Sequence, residues 1–263
     1  MSDGKPYNKR DFIRTFNVIA RHRHRYEVFR DFVMISAISL HNAVNMNDEM
    51  EQEYLQIVGQ YDTGDVQGFC ELLAVLVELL EPEPRDILGG LYMELDLGNN
   101  HTGQFFTPPD ISLLMAQMTY GGELKEIKQP FITISEPACG AGGMVLAFVN
   151  IMLQNGYNPA DKLWVQCIDV DRLAAYMCYL QLSLWNIPAE VVVGNTLTME
   201  IREKLYTPAH NIGGWDMRLQ YRRVQEMIEH SEPQLLEVDK VELITEEPKK
   251  VPIVNSPQFD FGF

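Results

Sequence analysis

The sequence lacks an apolar run long enough to cross a bilayer. Its first residues, Met1-Ser2-Asp3-Gly4-Lys5, contain no apolar stretch of the kind that forms a secretory signal. The expected location is the cytoplasm, with no membrane partner. Cysteine is scarce: Cys70, Cys139, Cys167 and Cys178 are the only four. None falls in a CxxC pair and no histidine stands at ligand spacing to them, which argues against a disulfide framework and a zinc site. The expectation is four reduced, mostly buried thiols and no metal. Positive charge is also short, with 21 Lys and Arg against 37 Asp and Glu, a net charge of −16. Neutralising phosphates needs a basic face, so this balance counts against the chain wrapping DNA by itself. It leaves room for local patches or for a partner subunit that supplies the cations.

What is present reads as a globular chain in two textures. Residues 6 to about 100 carry apolar side chains at helical intervals and no strand signal. Phe12, Phe16 and Ile19 recur in this way, as do Phe29, Phe32 and Val33. The apolar stretch from Cys70 to Leu80 is stopped by Pro82 and Pro84. Near residue 100 the texture changes. Pro108-Pro109-Asp110 opens a helix reaching about Met118, and Phe131-Ile132-Thr133-Ile134-Ser135 reads as a strand. An apolar helix from Met144 to Leu153 follows. Next come a strand over Leu163-Trp164-Val165-Gln166-Cys167-Ile168, a helix from Arg172 to Trp185 and a strand over Glu190-Val191-Val192-Val193. This alternation predicts an α/β fold, a parallel sheet with crossover helices. The expected organisation is a helical domain over 1–100, a ligand-binding domain over 101–230 and an acidic tail over 231–263 that is loosely packed or docks on a partner. After Asn195 a plain loop is expected through residues 206–215, leading into a helix from Trp215 to about His230.

The chemistry concentrates where the first strand meets its helix, at Glu136-Pro137-Ala138-Cys139-Gly140-Ala141-Gly142-Gly143. Glycines there let backbone approach a ligand, and a helix N-terminus offers unpaired N–H groups. The acid at the strand end can accept from a cationic amine, so the loop suits the methionine end of S-adenosylmethionine. The plainer alternative is a tight strand-to-helix turn with nothing bound. The second strand ends in Asp169-Val170-Asp171, where an acid suits ribose hydroxyls. Asp169 is the ribose candidate, and Asp171 is the candidate N-cap for the next helix. The third strand ends in Gly194-Asn195, whose amide can reach an adenine edge. Arg21-His22-Arg23-His24-Arg25 is the densest basic run and reads as a solvated helix face.

Together these segments resemble the modification subunit of type I restriction systems, within the N6-adenine DNA methylase family. Gly103-Gln104-Phe105-Phe106-Thr107-Pro108 resembles that family's GQF[FY]TP motif, and the glycine loop resembles DPACGTGG. Ile168-Asp169-Val170-Asp171 resembles its acid after strand two, Gly194-Asn195-Thr196-Leu197 its GDTL segment, and Asp86-Ile87-Leu88-Gly89 its DILG segment. The resemblance covers residues 86 to 197. It implies a Rossmann-like class I methyltransferase core and S-adenosylmethionine as cofactor. It also implies methyl transfer to adenine N6 of DNA, with a separate specificity subunit. By it, Gln104, Phe105, Phe106, Thr107, Glu136, Pro137, Cys139, Gly140, Gly142, Asp169 and Asn195 form the cofactor site. Thr107 and Glu136 would meet the methionine end, Asp169 the ribose and Asn195 the adenine, with Phe105 or Phe106 as a wall. The family continues into a fourth strand ending in NPP[FYW], which holds the target adenine. No Asn-Pro-Pro follows Asn195, so no catalytic residue is assigned. The alternative function is a methyltransferase-like binding protein, without catalysis, in a restriction or anti-restriction assembly.

Overall fold

The computed structural model describes residues 7–97, 106–120 and 123–231. Gln104, Phe105 and the acidic tail from residue 232 lie outside the described residues. Five helices come first: α1 (Lys9–Phe16), α2 (Arg25–Asn42), α3 (Asp48–Val58), α4 (Thr63–Leu80) and α5 (Ile87–Glu94). Their starts are set by side chains that satisfy the unpaired first-turn N–H groups. Asn8, His24, Asn47, Asp62 and Asp86 each accept from a backbone N–H one turn or less ahead. Phe12, Phe16, Phe29, Phe32 and Phe69 are buried and stack edge to face or in offset pairs. The basic run is not a helix face. Its first four residues lie in the turn between α1 and α2, entered through Ala20 at φ +40°, and Arg25 is the first residue of α2. Arg25 folds back to donate to the carbonyls of Phe16 (3.2 Å) and Ile19 (2.9 Å), so it caps the exit of α1.

The remaining helices are α6 (Pro109–Tyr120), α7 (Gly143–Gln154), α8 (Pro159–Lys162), α9 (Arg172–Leu184), α10 (Pro208–Ile212) and α11 (Trp215–Ser231). They are interleaved with β1 (Ile132–Glu136), β2 (Leu163–Asp169), β3 (Ala189–Asn195) and β4 (Glu200–Tyr206) in a sheet of order β1-β2-β3-β4. The first three strands are parallel and β4 is antiparallel to β3. The described residues up to Arg218 form one compact unit, and those over 219–231 belong to a second. In the first unit α9 packs on β2 and β3 and also on α2, α4 and α5. Helical region and sheet therefore share one buried core. The change near residue 100 is one of secondary-structure class rather than a division between separate cores. In the second unit the helix continues to Ser231, and Arg222 and Glu226 pair along it at 2.7 Å.

The loop expected over 206–215 is instead the end of β4, then α10 and the start of α11. Sequence pattern missed β4 because Glu200-Ile201-Arg202-Glu203-Lys204-Leu205-Tyr206 is polar; as an edge strand it buries only Leu205 fully. Thr207 locks it in place: its hydroxyl donates to the Ile187 carbonyl (2.7 Å) and accepts from Ala189 N–H (2.9 Å).

Both crossovers run in the same direction across the sheet, and right-handed connections of that kind put α7 and α9 on one face. The opposite face is polar. Ser135, Gln166, Glu190 and Tyr206 are direct cross-strand neighbours. Gln166 donates to Glu190 at 2.7 Å, and Lys204 and Tyr206 reach the other Glu190 oxygen at 3.1 and 2.9 Å. A buried carboxylate with three partners is tolerated where a lone one would not be.

Candidate functional site

The parallel register brings three strand ends together. Glu136 pairs with Cys167, two residues before β2 ends at Asp169; Asp169 pairs with Val193, two residues before β3 ends at Asn195. Ligands in open parallel sheets bind at this carboxyl edge. The structure thus brings Glu136, Asp169 and Asn195 to one end of the sheet, beside the glycine loop.

The loop is held in shape by its neighbours. Cys139 N–H donates to the Ile168 carbonyl at 2.9 Å, and Gly140 N–H donates to Asp169 Oδ2 at 2.8 Å. Thr196 Oγ1 donates to the Pro137 carbonyl at 2.7 Å, tying the segment after β3 to the loop. Gly140 has φ +53°, and a Cβ there would stand 3.3 Å from the Phe106 ring. Gly142 has φ +93° and serves as the N-cap of α7. With no side chain it leaves the first-turn N–H groups of α7 without a side-chain cap. The loop's own N–H groups at Ala138, Cys139, Gly140 and Gly142 are paired within the protein, so the backbone donors on offer are those of the first turn of α7, with an acid, Glu136, half-exposed beside them.

Each expected side chain has a definite state. Glu136 accepts from Ala138 N–H at 3.2 Å. Phe106 is half-buried between Gly140 and Tyr92, its ring edge-on to Tyr92 at 5.4 Å, so it walls the loop. Thr107 and Pro137 are exposed. Asp169 uses both oxygens, Oδ2 for Gly140 and Oδ1 for Asp171 N–H at 2.9 Å, and each oxygen keeps a further lone pair. Asp171 caps α9 by accepting from Ala174 N–H at 2.8 Å, as expected. Asn195 closes β3 with its amide turned into the next residues. Its Oδ1 accepts from Leu197 N–H (2.9 Å) and Thr198 N–H (3.3 Å), so the amide oxygen is filled by its own turn. The group left for an adenine is its NH2 donor.

A residue that sequence reasoning missed supports the loop from below. Gln181 on α9 is wholly buried. Its Oε1 accepts from Ile87 N–H (2.8 Å) and Leu88 N–H (3.1 Å). Its Nε2 donates to Asp86 Oδ1 (3.0 Å) and to the Ala141 carbonyl (2.8 Å). All four hydrogen-bonding capacities are filled, and they join the start of α5 to the glycine loop. The only sequence signal was one amide inside the apolar run Tyr179-Leu180-Gln181-Leu182. Below the loop, Cys139, Cys167 and Cys178 are buried with their sulfurs within 4.8 Å of one another. Hydrogen bonding from Cys139 and then Cys178 holds the Cys167 thiol below its ordinary pKa. The bond with Cys167, and then burial, raise that of Cys139 against an opposing bond with Cys178, while bonds with Cys139 and Cys167, and then burial, raise that of Cys178.

Asp86 carries a pH signature. Burial pushes its carboxyl above the ordinary range, outweighing hydrogen bonds from Gln181 and Gly89. The folded chain then holds this proton more tightly than the unfolded chain. The contribution is full below the unfolded pKa and is lost as pH rises through the raised value. Asp86→Asn keeps an acceptor for Gly89 and Gln181 but does not titrate. It should match or exceed the parent's stability at neutral pH and lack this segment of pH dependence. Urea denaturation from pH 3 to 8 checks both; a mutant far less stable at neutral pH contradicts the assignment.

The sequence model of the N-6 DNA methylase family matches residues 84–217, about half of the chain. The chain belongs to the N-6 DNA methylase family. The methylase segment starts at Pro84, so α5 and Asp86 fall within it, in keeping with the Gln181 link to the loop. A curated relative, the type I restriction enzyme MpnII methylase subunit of Mycoplasma pneumoniae, is 23% identical over 198 residues. That alignment takes in 72% of this chain but 32% of the relative, so the chain spans about a third of the relative's length. Among solved structures, a class I S-adenosylmethionine-dependent methyltransferase from Listeria monocytogenes is 16% identical, with a TM-score of 0.32. The match covers 63% of this chain and 52% of that one. The methyltransferase subunit of a type I restriction-modification system from Streptococcus thermophilus is 17% identical, with a TM-score of 0.33. It covers 60% of this chain and 37% of that one. No helix among the described residues is long and apolar enough to cross a membrane.

Proposed function

We propose that this chain binds S-adenosylmethionine at the Glu136–Gly143 loop. In this reading it is the cofactor-holding part of an adenine-N6 DNA methyltransferase of the type I modification-subunit kind. The observation that carries it is the convergence of Glu136, Asp169 and Asn195 at one sheet edge around a glycine-capped helix start. The donor set fits the ligand. The amine meets Glu136, the carboxylate meets the first-turn N–H groups of α7, and the ribose hydroxyls donate to the spare lone pairs of Asp169. The Asn195 amide donates to a ring nitrogen of the adenine, and Phe106 closes the side of the pocket. Gln104, Phe105 and Thr107, which flank Phe106 in sequence ahead of α6, belong to the same proposed site. When bound, the cofactor supplies the methyl group; what these residues do is hold and orient it.

DNA recognition, in the same reading, comes with a partner. The net charge of −16 gives the chain no general affinity for phosphate, so a specificity subunit brings the cations and the sequence reading. The curated relative is itself named as one subunit of a restriction enzyme. Calorimetric titration with S-adenosylmethionine is expected to give a single site, and no heat at millimolar ligand would sink the proposal. Transfer of labelled methyl to DNA is expected only when a specificity subunit is added. Absence of label in both conditions, with cofactor binding intact, would leave the binding-protein alternative.

A further inference from the structure

We propose that Cys139, Cys167 and Cys178 form a three-sulfur site for a soft, thiophilic cation, with monovalent copper as the best match. The three thiols come from three separate elements: the glycine loop, β2 and α9. Each is buried, and their sulfurs lie within 4.8 Å of one another. Metal–thiolate bonds of about 2.3 Å set sulfurs about 4 Å apart around a three-coordinate centre. Small side-chain adjustments bring the trio to that spacing.

The donor set selects the class of ion. Thiolates favour soft cations such as Cu(I), zinc and iron–sulfur iron. Zinc in a closed structural site takes four ligands. Among the described residues no histidine, aspartate or glutamate joins these three within the same distance. A three-coordinate site with sulfur donors only therefore suits Cu(I) better than zinc. The surroundings are already rigid. A Cβ on Gly142 would stand 3.0 Å from Cys178 Sγ, and Cys139 is pinned through its N–H to Ile168. Binding displaces thiol protons to solvent and moves no electrons, so the site needs no oxidant or reductant. Simple packing of small apolar thiols is the competing account, and it predicts no stoichiometric uptake.

The test uses the full chain, reduced and without oxygen, competing for Cu(I) against a coloured copper chelator. One equivalent should be withdrawn by the parent and by Cys70→Ser, since Cys70 is exposed and outside the trio. Withdrawal should be lost in Cys139→Ala, Cys167→Ala and Cys178→Ala, each checked for fold by circular dichroism. An equal excess of zinc should leave the copper in place. X-ray absorption on the loaded parent should show three sulfurs and no lighter ligand, which tests the site even if a variant fails to fold. No withdrawal by the parent, withdrawal that follows Cys70, retention in a folded Cys167→Ala, displacement by zinc, or fewer than three sulfurs would each overturn the assignment.

Discussion

Gln181→Leu will destabilise this protein by about 3–5 kcal/mol, because it strands several buried polar groups at once. Ile87 N–H and Leu88 N–H lose their acceptor, and the Ala141 carbonyl loses its donor. Asp86 keeps only the bond from Gly89. Leucine matches the volume and helix propensity of glutamine, so the loss measures the polar network rather than packing. Urea denaturation monitored by circular dichroism gives the number; a loss within about 1 kcal/mol, the range of a single ordinary hydrogen bond, would show that the network does not act as a unit. Gln181→Glu offers a second check. Glutamate can still accept from Ile87 and Leu88 but faces Asp86 with a second carboxylate. Its deficit should shrink as the pH falls, when the pair can share a proton. A pH-independent deficit would rule out that repulsion.

Gly142→Val should be the most damaging change to the loop. At φ +93° a β-branched residue is a backbone outlier, and its Cβ would press on Cys178 Sγ at 3.0 Å. Strain of this kind costs about 1–3 kcal/mol before any clash is counted. The start of α7 must shift to relieve it, so affinity for S-adenosylmethionine should fall by at least about tenfold, which needs only about 1.4 kcal/mol. Gly140 provides the contrast. At φ +53° it sits in the left-handed region that asparagine tolerates, so Gly140→Asn should be milder than Gly140→Val. Calorimetric titration of the variants ranks them; equal affinities for Gly142→Val and the parent would remove the loop from the site.

Strand ends were legible because alternation and β-branched runs placed β1, β2 and β3 within a residue or two, and the acids and amide at their ends followed. Asp171 as a cap was legible because an aspartate before a helix has one common use. Three things were not. β4 hid because an edge strand needs few apolar residues, and Glu200–Lys204 has one. Gln181 hid because its partners lie 40 to 95 residues away, beyond any local pattern. The cysteine trio hid because spacings of 28 and 11 residues match no ligand motif until β2 and α9 fold beneath the loop. The direction of the Asn195 amide is set by the fold of its turn, since either end can be turned inward.

The bond from Gly140 to Asp169 has a thermodynamic consequence. The acid expected to greet a ribose already holds the loop, and Thr196 holds it from the other side. Little ordering entropy is left to be lost on association. The heat-capacity change should therefore be small and set by the ligand's own apolar surface, with no contribution from folding of the loop.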